Sequence, residues 1–391
     1  MKAINVYEGA ALAARSQRQF EAALRERDVR GLDGPVLFLS RERVRENLRS
    51  LQSALPGVHI YYATKSNNHA SILRTVVEEG HGFDVCSARE IEDCLKAGAT
   101  TADLLHTHPI KSQYEIEQAL ALGVTTFVVD NVDEVAKFEE YSDRVSLIVR
   151  FRAVDSSESA AVVQCNLSYK FGCAPQEIIG LVREITGRNI GFAGLAFHVG
   201  SQCQTPAPYL AGINIASDVI TQLEAEGIRT RLLDIGGGFP VEYTEAVPSI
   251  EEFCGPISEA LQSVIPSSVN ILCEPGRYIS ATAVTALVNV IGRSAREGRQ
   301  WYYIDDGVYG AFSGRIYDHC DYRTLTNRNS AWIPSALAGP TCDSIDIVYE
   351  DIFLPPLEVG DTLVFPCMGA YCAVSASTFN SLRQAQTVVI D

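Results

Sequence analysis

The chain has no apolar run long enough to cross a bilayer. Its two longest apolar stretches, around Val284–Ile291 and Ile190–Val199, read as buried strand or helix. The first thirty residues carry charges throughout and have no uninterrupted apolar core, so no signal peptide is expected and a cytoplasmic protein is. Basic residues are scarce, 32 against 48 acidic ones, for a formal net charge of −16. That balance argues against non-specific nucleic-acid binding, which depends on neutralising phosphates with Lys and Arg. No C-x-x-C occurs and the eleven cysteines are odd in number, which disfavours both a disulfide framework and a zinc site. Most of them read as small buried hydrophobes in a reducing compartment. The G-x-G-x-x-G fingerprint is absent, so a dinucleotide is not indicated. Internal repeats, low-complexity tracts and long linkers are also missing.

What is present is a regular alternation. The 391 residues are 47% hydrophobic, enough for two or three domains with cores of their own. Short apolar runs at 60–64, 83–86, 104–106, 127–129, 147–150, 195–198, 232–235 and 271–273 read as strands. Amphipathic stretches at 70–79, 88–97, 112–122, 132–141, 175–186, 209–226 and 250–265 read as helices between them. Eight strands apolar on both faces, joined by helical crossovers, predict an α/β fold closed as a (β/α)8 TIM-type barrel, with an open doubly wound sheet as the competing arrangement. After about residue 280, strand-like pieces at 283–291, 301–304, 344–349, 362–365 and 386–390 follow one another with little helix, which predicts a C-terminal antiparallel β domain. The expected division is a barrel over 36–279 and a β domain from 1–35 and 280–391; the strand-like segment 35–39 is also a candidate to join the β domain.

The ends of the barrel strands carry the chemistry-bearing residues. A barrel of this kind places its active site at the C-terminal strand ends. There stand Lys65, Asp84, Arg150, His198, Gly200-Ser201, Gly236-Gly237-Gly238 and Glu274-Pro275-Gly276-Arg277. Lys65 alone reads as a loop lysine or as a Schiff-base amine. The glycine triplet reads equally as a tight turn or as backbone N–H groups for an anion. Arg277 beside Gly276, and Ser201 beside Gly200, add two more devices suited to phosphate. Glu274 would repel a phosphate and should face a cation, either a protonated pyridine nitrogen or a neighbouring arginine. His198 is open to a general base, a core or a ring-stacking role. His106 and His108 form an H-x-H pair without a ligand cluster and read as structural or rim residues.

Taken with Tyr62-Ala63-Thr64-Lys65, Gly82-Phe83-Asp84, Ser168-Tyr169-Lys170-Phe171-Gly172, Phe197–Ser201, Leu233–Pro240 and Glu274–Arg277, the chain resembles the fold type III (alanine-racemase-fold) pyridoxal-phosphate decarboxylases, in their ornithine/lysine branch. Asp306–Gly310, Tyr317-Asp318-His319, Gly339–Ser344, Met368–Tyr371 and Ala376–Asn380 extend the resemblance over roughly residues 35–382. The resemblance implies that Lys65 carries pyridoxal 5′-phosphate, Glu274 pairs with its pyridine nitrogen and His198 stacks on its ring. It implies that Asp84 and Arg150 line the cofactor, and that Ser201, Gly236, Gly237, Gly238, Gly276, Arg277 and Tyr371 hold the phosphate. It further implies a homodimer with shared sites. Cys342 of the second subunit would protonate the substrate carbon. Asp318 and Asp343 would receive a distal ammonium, with Tyr317 and Phe379 shaping the pocket.

The implied reaction is decarboxylation of ornithine or lysine to the diamine. Two carboxylates at the far end suit a cationic chain, and the same reading leaves room for an unusual or carrier-tethered amino acid of a natural-product or siderophore pathway. Cys342-Asp343-Ser344, where diaminopimelate decarboxylases usually show Cys-Glu-Ser, disfavours that substrate. A racemase would need a tyrosine where Cys342 stands. A catalytically dead regulatory homologue would have lost the cofactor residues, which are here intact. The chain resembles compact bacterial enzymes, lacking the acidic insertion before Tyr302-Tyr303 and the C-terminal extension of the eukaryotic ones, and it carries Ser66 where Cys is common among those.

Overall fold

The computed structural model describes residues 21–153 and 170–391; Ser168, Tyr169 and Cys165 lie outside them. The chain divides into two compact units. Within the first, Val44–Val241 and Val247–Ile279, eight parallel strands close a barrel in chain order. They are β2 (Val58–Ala63), β3 (Gly82–Val85), β4 (Leu104–His106), β5 (Thr126–Val129), β6 (Ser146–Phe151), β7 (Gly191–Phe197), β8 (Leu232–Asp234) and β9 (Asn270–Cys273). Closure is direct: β2 pairs with β9, Ile60 opposite Cys273, which excludes the open doubly wound sheet. Leu105, Val128, Ile148, Ala193, Ala196 and Leu272, contributed by the five strands β4, β5, β6, β7 and β9, form one buried cluster, as a filled barrel lumen requires.

Four of the crossover helices start where the sequence supplies a Ser or Asn cap. Ser87, Ser112 and Asn131 accept the backbone N–H of Glu90, Glu115 and Glu134, three residues on. Ser249 and Glu252 form a reciprocal capping box ahead of Ile250–Val264. Each cap satisfies N–H groups that have no partner inside the helix.

The second unit holds residues 21–43, Glu242–Ala246 and Ser280–Asp391. Its sheet runs β13-β12-β11-β10-β1-β15, with β14 also on β10. The strands are β1 (Val36–Leu39), β10 (Val284–Arg296), β11 (Arg299–Ile304), β12 (Ile333–Ala338), β13 (Ile347–Leu354), β14 (Thr362–Phe365) and β15 (Gln386–Val389). Most pairings are antiparallel, while β11 with β12 and β1 with β15 are parallel. Val36, Phe38, Leu287, Leu325 and Val364 pack as the core on one face of this sheet. The strand at 35–39 thus belongs to the sheet and not to the barrel.

Candidate active site

Lys65 lies in a single 3-10 turn, Thr64–Ser66, at the end of β2. Its Nζ pairs with Asp84, a fully buried carboxylate at the end of β3. Asp84 also accepts from the Thr107 hydroxyl, and its carbonyl accepts from Thr64 Oγ1 at 3.1 Å. Three neighbouring strands therefore fix one carboxylate, and that carboxylate fixes the amine. Ala63 N donates to Pro275 O at 3.2 Å, which ties the lysine's strand to the loop after β9.

That loop carries Glu274, buried at 6% exposure. Its backbone N–H donates to Gly236 O at 2.9 Å, and Gly236 N donates to Asp234 Oδ1 at 2.8 Å. The Glu274 carboxyl is pushed up by burial and by Asp84, against the pull of Lys65. Asp234, fully buried, is pushed well up by burial and by Glu274.

The glycine triplet has a packing reason of its own. A Cβ on Gly237 would stand 2.3 Å from Glu274 O, and one on Gly238 would stand 2.2 Å from Gly200 O. Gly238 also has φ +113°, a region closed to most side chains. Beside it, Arg277 is almost wholly buried and donates from Nε and Nη2 to Ser201 Oγ at 3.2 and 2.9 Å. A buried guanidinium, a hydroxyl and a turn stripped of side chains make a donor set that suits a phosphate.

His198, between these groups, accepts the Gly200 N–H on Nδ1 at 2.9 Å. Burial, Arg150 and Lys65 hold its pKa well below the ordinary imidazole value, so the ring is neutral near pH 7. With Nδ1 accepting from its own loop, the neutral ring carries its hydrogen on Nε2 and has no free lone pair left to abstract a proton. Arg150, on β6, lies over the Phe171 ring at 5.6 Å. His106, the first member of the H-x-H pair, is fully buried with neither ring nitrogen bonded, and no cluster of potential metal ligands occurs among the described residues.

The second unit gathers the remaining residues into two groups. Asp318, buried, ends the short helix Gly314–Tyr317 and accepts from Cys320 Sγ at 3.1 Å. Tyr371 adopts φ +56°, and its carbonyl accepts from Ser375 Oγ at 2.9 Å. In the other group, Cys342 is exposed and its N–H donates to Asn380 Oδ1 at 3.1 Å. Asp343 accepts the Tyr309 hydroxyl at 2.5 Å, and that bond holds the carboxyl below its usual range. Tyr309 stacks on Phe379 with centroids 4.4 Å apart. Tyr317 and Phe379 are exposed.

Sequence reasoning did not single out Thr107, Tyr309 or Asp234. Tyr309 and Asp234 stood inside recognised motifs, and Thr107 directly follows a strand; position at a strand end was the available signal.

Residues 41–281 match the family model described as the pyridoxal-binding domain of pyridoxal-dependent decarboxylases. The lysine/ornithine decarboxylase of Selenomonas ruminantium is 32% identical, over 91% of this chain and 90% of its own. Antizyme inhibitor 2 of Xenopus laevis is 34% identical, over 88% of this chain and 77% of its own. The crystal structure of the Vibrio vulnificus lysine/ornithine decarboxylase complexed with putrescine superimposes with a TM-score of 0.88 at 41% identity, covering 94% and 98% of the two chains.

Proposed function

The chain belongs to the pyridoxal-dependent decarboxylases, and from that premise we propose that it converts L-ornithine and L-lysine to the corresponding diamines and carbon dioxide. The observation that carries this reading is the rim itself: an amine pinned by Asp84, a buried carboxylate at Glu274, and the Arg277–Ser201 pair beside a turn with no side chains. These three chemistries match the aldehyde, the pyridine nitrogen and the phosphate of pyridoxal 5′-phosphate. When bound, that group supplies a carbonyl for the substrate amine and a ring that withdraws an electron pair.

The chain's own residues do the rest. Lys65 is the amine that would hold the cofactor's aldehyde carbon. Glu274 would pair with the ring nitrogen, and neutral His198 would stack on the ring. Ser201, Gly236, Gly237, Gly238, Gly276, Arg277 and Tyr371 bind the phosphate, while Asp84 and Arg150 line the cofactor. The bond from Cα to the carboxylate breaks, carbon dioxide leaves and the electron pair stays at Cα. Cys342 then gives its thiol proton to Cα and is reprotonated from solvent. Asp318 and Asp343 receive the distal ammonium, with Tyr317 and Phe379 beside it. Two copies share each site, one giving the barrel residues and the other Cys342 and Asp343.

The test is carbon dioxide release with mass-spectrometric identification of the amine. The protein with pyridoxal phosphate receives L-ornithine, L-lysine, L-arginine and diaminopimelate in parallel. Turnover of the first two and neglect of diaminopimelate is the expected result. No turnover of any of them would overturn the proposed activity; because an antizyme inhibitor is among the relatives, turnover and not cofactor uptake is the deciding readout.

A further inference from the structure

One side chain at the rim has no place in the mechanism above. Leu232 packs on the cluster inside the barrel, and Asp234, two residues further along β8, faces the same way. Its Oδ1 accepts the Gly236 N–H at 2.8 Å. Its Oδ2 is buried with no donor against it. The group within side-chain hydrogen-bonding reach is the Glu274 carboxyl, itself buried. Two carboxylate oxygens in a buried site meet only across a proton, because neither has a hydrogen of its own to donate.

We propose that Asp234 is a positioning residue: it holds one proton against Glu274, so that the pair carries a single negative charge and the Glu274 carboxylate is aimed and kept anionic for a cationic ring nitrogen. The inference rests on the functional reading above for the identity of that ring. The remaining charged and titratable neighbours fit the assignment. Asp84 lies close enough to raise both members of the pair, which disfavours a second negative charge there. Lys65 and Arg150 act on Glu274, which makes it the member that ionises. Tyr61 and Cys273 also neighbour Asp234; both are pushed up first by burial, and neither side-chain type can supply a compensating cation. Asp234 thus keeps the proton, donates it to Glu274, and spends its second oxygen on the turn that begins the glycine triplet. One side chain couples the carboxylate end of the site to the phosphate end.

Asp234→Asn and Asp234→Ala test this in two arms. Asn reproduces the protonated acid: its oxygen accepts from Gly236 and its amide donates to Glu274. In the first arm the protein is freed of cofactor and its stability to urea is followed between about pH 5 and pH 8. A carboxyl whose pKa is raised on folding binds more proton in the native state, so it subtracts stability as pH rises above the unfolded carboxylate value. The wild type is therefore expected to lose stability with rising pH more steeply than Asp234→Asn. Equal slopes would overturn the shared proton.

In the second arm, pyridoxal phosphate affinity is read from the visible absorbance. Asp234→Asn is expected to stay within about threefold of the wild type, and Asp234→Ala to weaken about tenfold or more. Wild-type affinity in Asp234→Ala would overturn the positioning role. If Asp234→Ala does not fold, a large loss of affinity in Asp234→Asn overturns the role instead. A wild type that takes up no pyridoxal phosphate would refute the functional reading and with it the ring partner, while the first arm would still decide the proton.

Discussion

At the scale of single residues, the polar atoms of the barrel rim are held by other polar atoms from neighbouring strands. Asp84 is shared by Lys65, Thr64 and Thr107, and His198 is oriented by the N–H two residues along. Fixing side chains in this way removes their rotamer freedom before a ligand arrives, which is how binding geometry is made cheap to maintain. Tyr309 shows the same principle in the β unit. Its hydroxyl bond lowers the Asp343 pKa, so the carboxylate survives to lower pH than an unassisted one. Tyr309→Phe removes that bond and keeps the stacking on Phe379. As pH falls, the KM for ornithine is expected to start rising at higher pH in Tyr309→Phe than in the wild type. Superimposable KM profiles would detach Asp343 from substrate binding. The chemistry-bearing types at strand ends were legible from sequence. Supporting partners such as Tyr309 and Thr107 were not, because a hydroxyl's partner is set by tertiary approach and not by local pattern.

At the scale of elements, most of the fold was written in periodicity. Each barrel strand appears where an apolar β-rich run was read, and four of the crossover helices begin at Ser or Asn caps. The open-sheet alternative could not be removed from sequence, since closure depends on β2 meeting β9 across more than two hundred residues. Strand β12 was missed. Pro334 lies near its start, and Pro in a run demotes a strand assignment; here it stands opposite Phe353 of β13 alone, one residue before the pairing with β11 begins at Ser335. The two parallel pairings in the β unit were also hidden, because alternation reports faces and not direction. The glycine turn after β8 makes the sharpest prediction at this scale. Gly237→Ala drives a Cβ to 2.3 Å from a backbone oxygen that cannot move aside. It is expected to cost about 1–3 kcal/mol of stability by overpacking and to weaken pyridoxal phosphate binding. A thermal melt and a cofactor titration matching the wild type would show that the turn has room the packing does not indicate.

At the scale of the whole molecule, the chain is frugal with lysine. Six occur in 391 residues, and the structure gives the other described ones separate work. Lys96 and Lys137 pair with Glu92 and Glu134 of their own helices or turns. Lys111 is buried, its amine donating to the carbonyls of His108, Pro109 and Val128, and burial pulls its pKa down to about 7. Lys170 lies over the Phe171 ring. Lys65 alone among the described lysines stands on a strand end against a fully buried carboxylate. This amine, and no other, is expected to carry the cofactor. The direct measurement is borohydride reduction of the protein with pyridoxal phosphate, followed by peptide mass mapping. A pyridoxyl adduct on the peptide containing Lys65, lost in Lys65→Ala, is the predicted result. An adduct confined to Lys111, Lys170 or another lysine, or none at all, would contradict it.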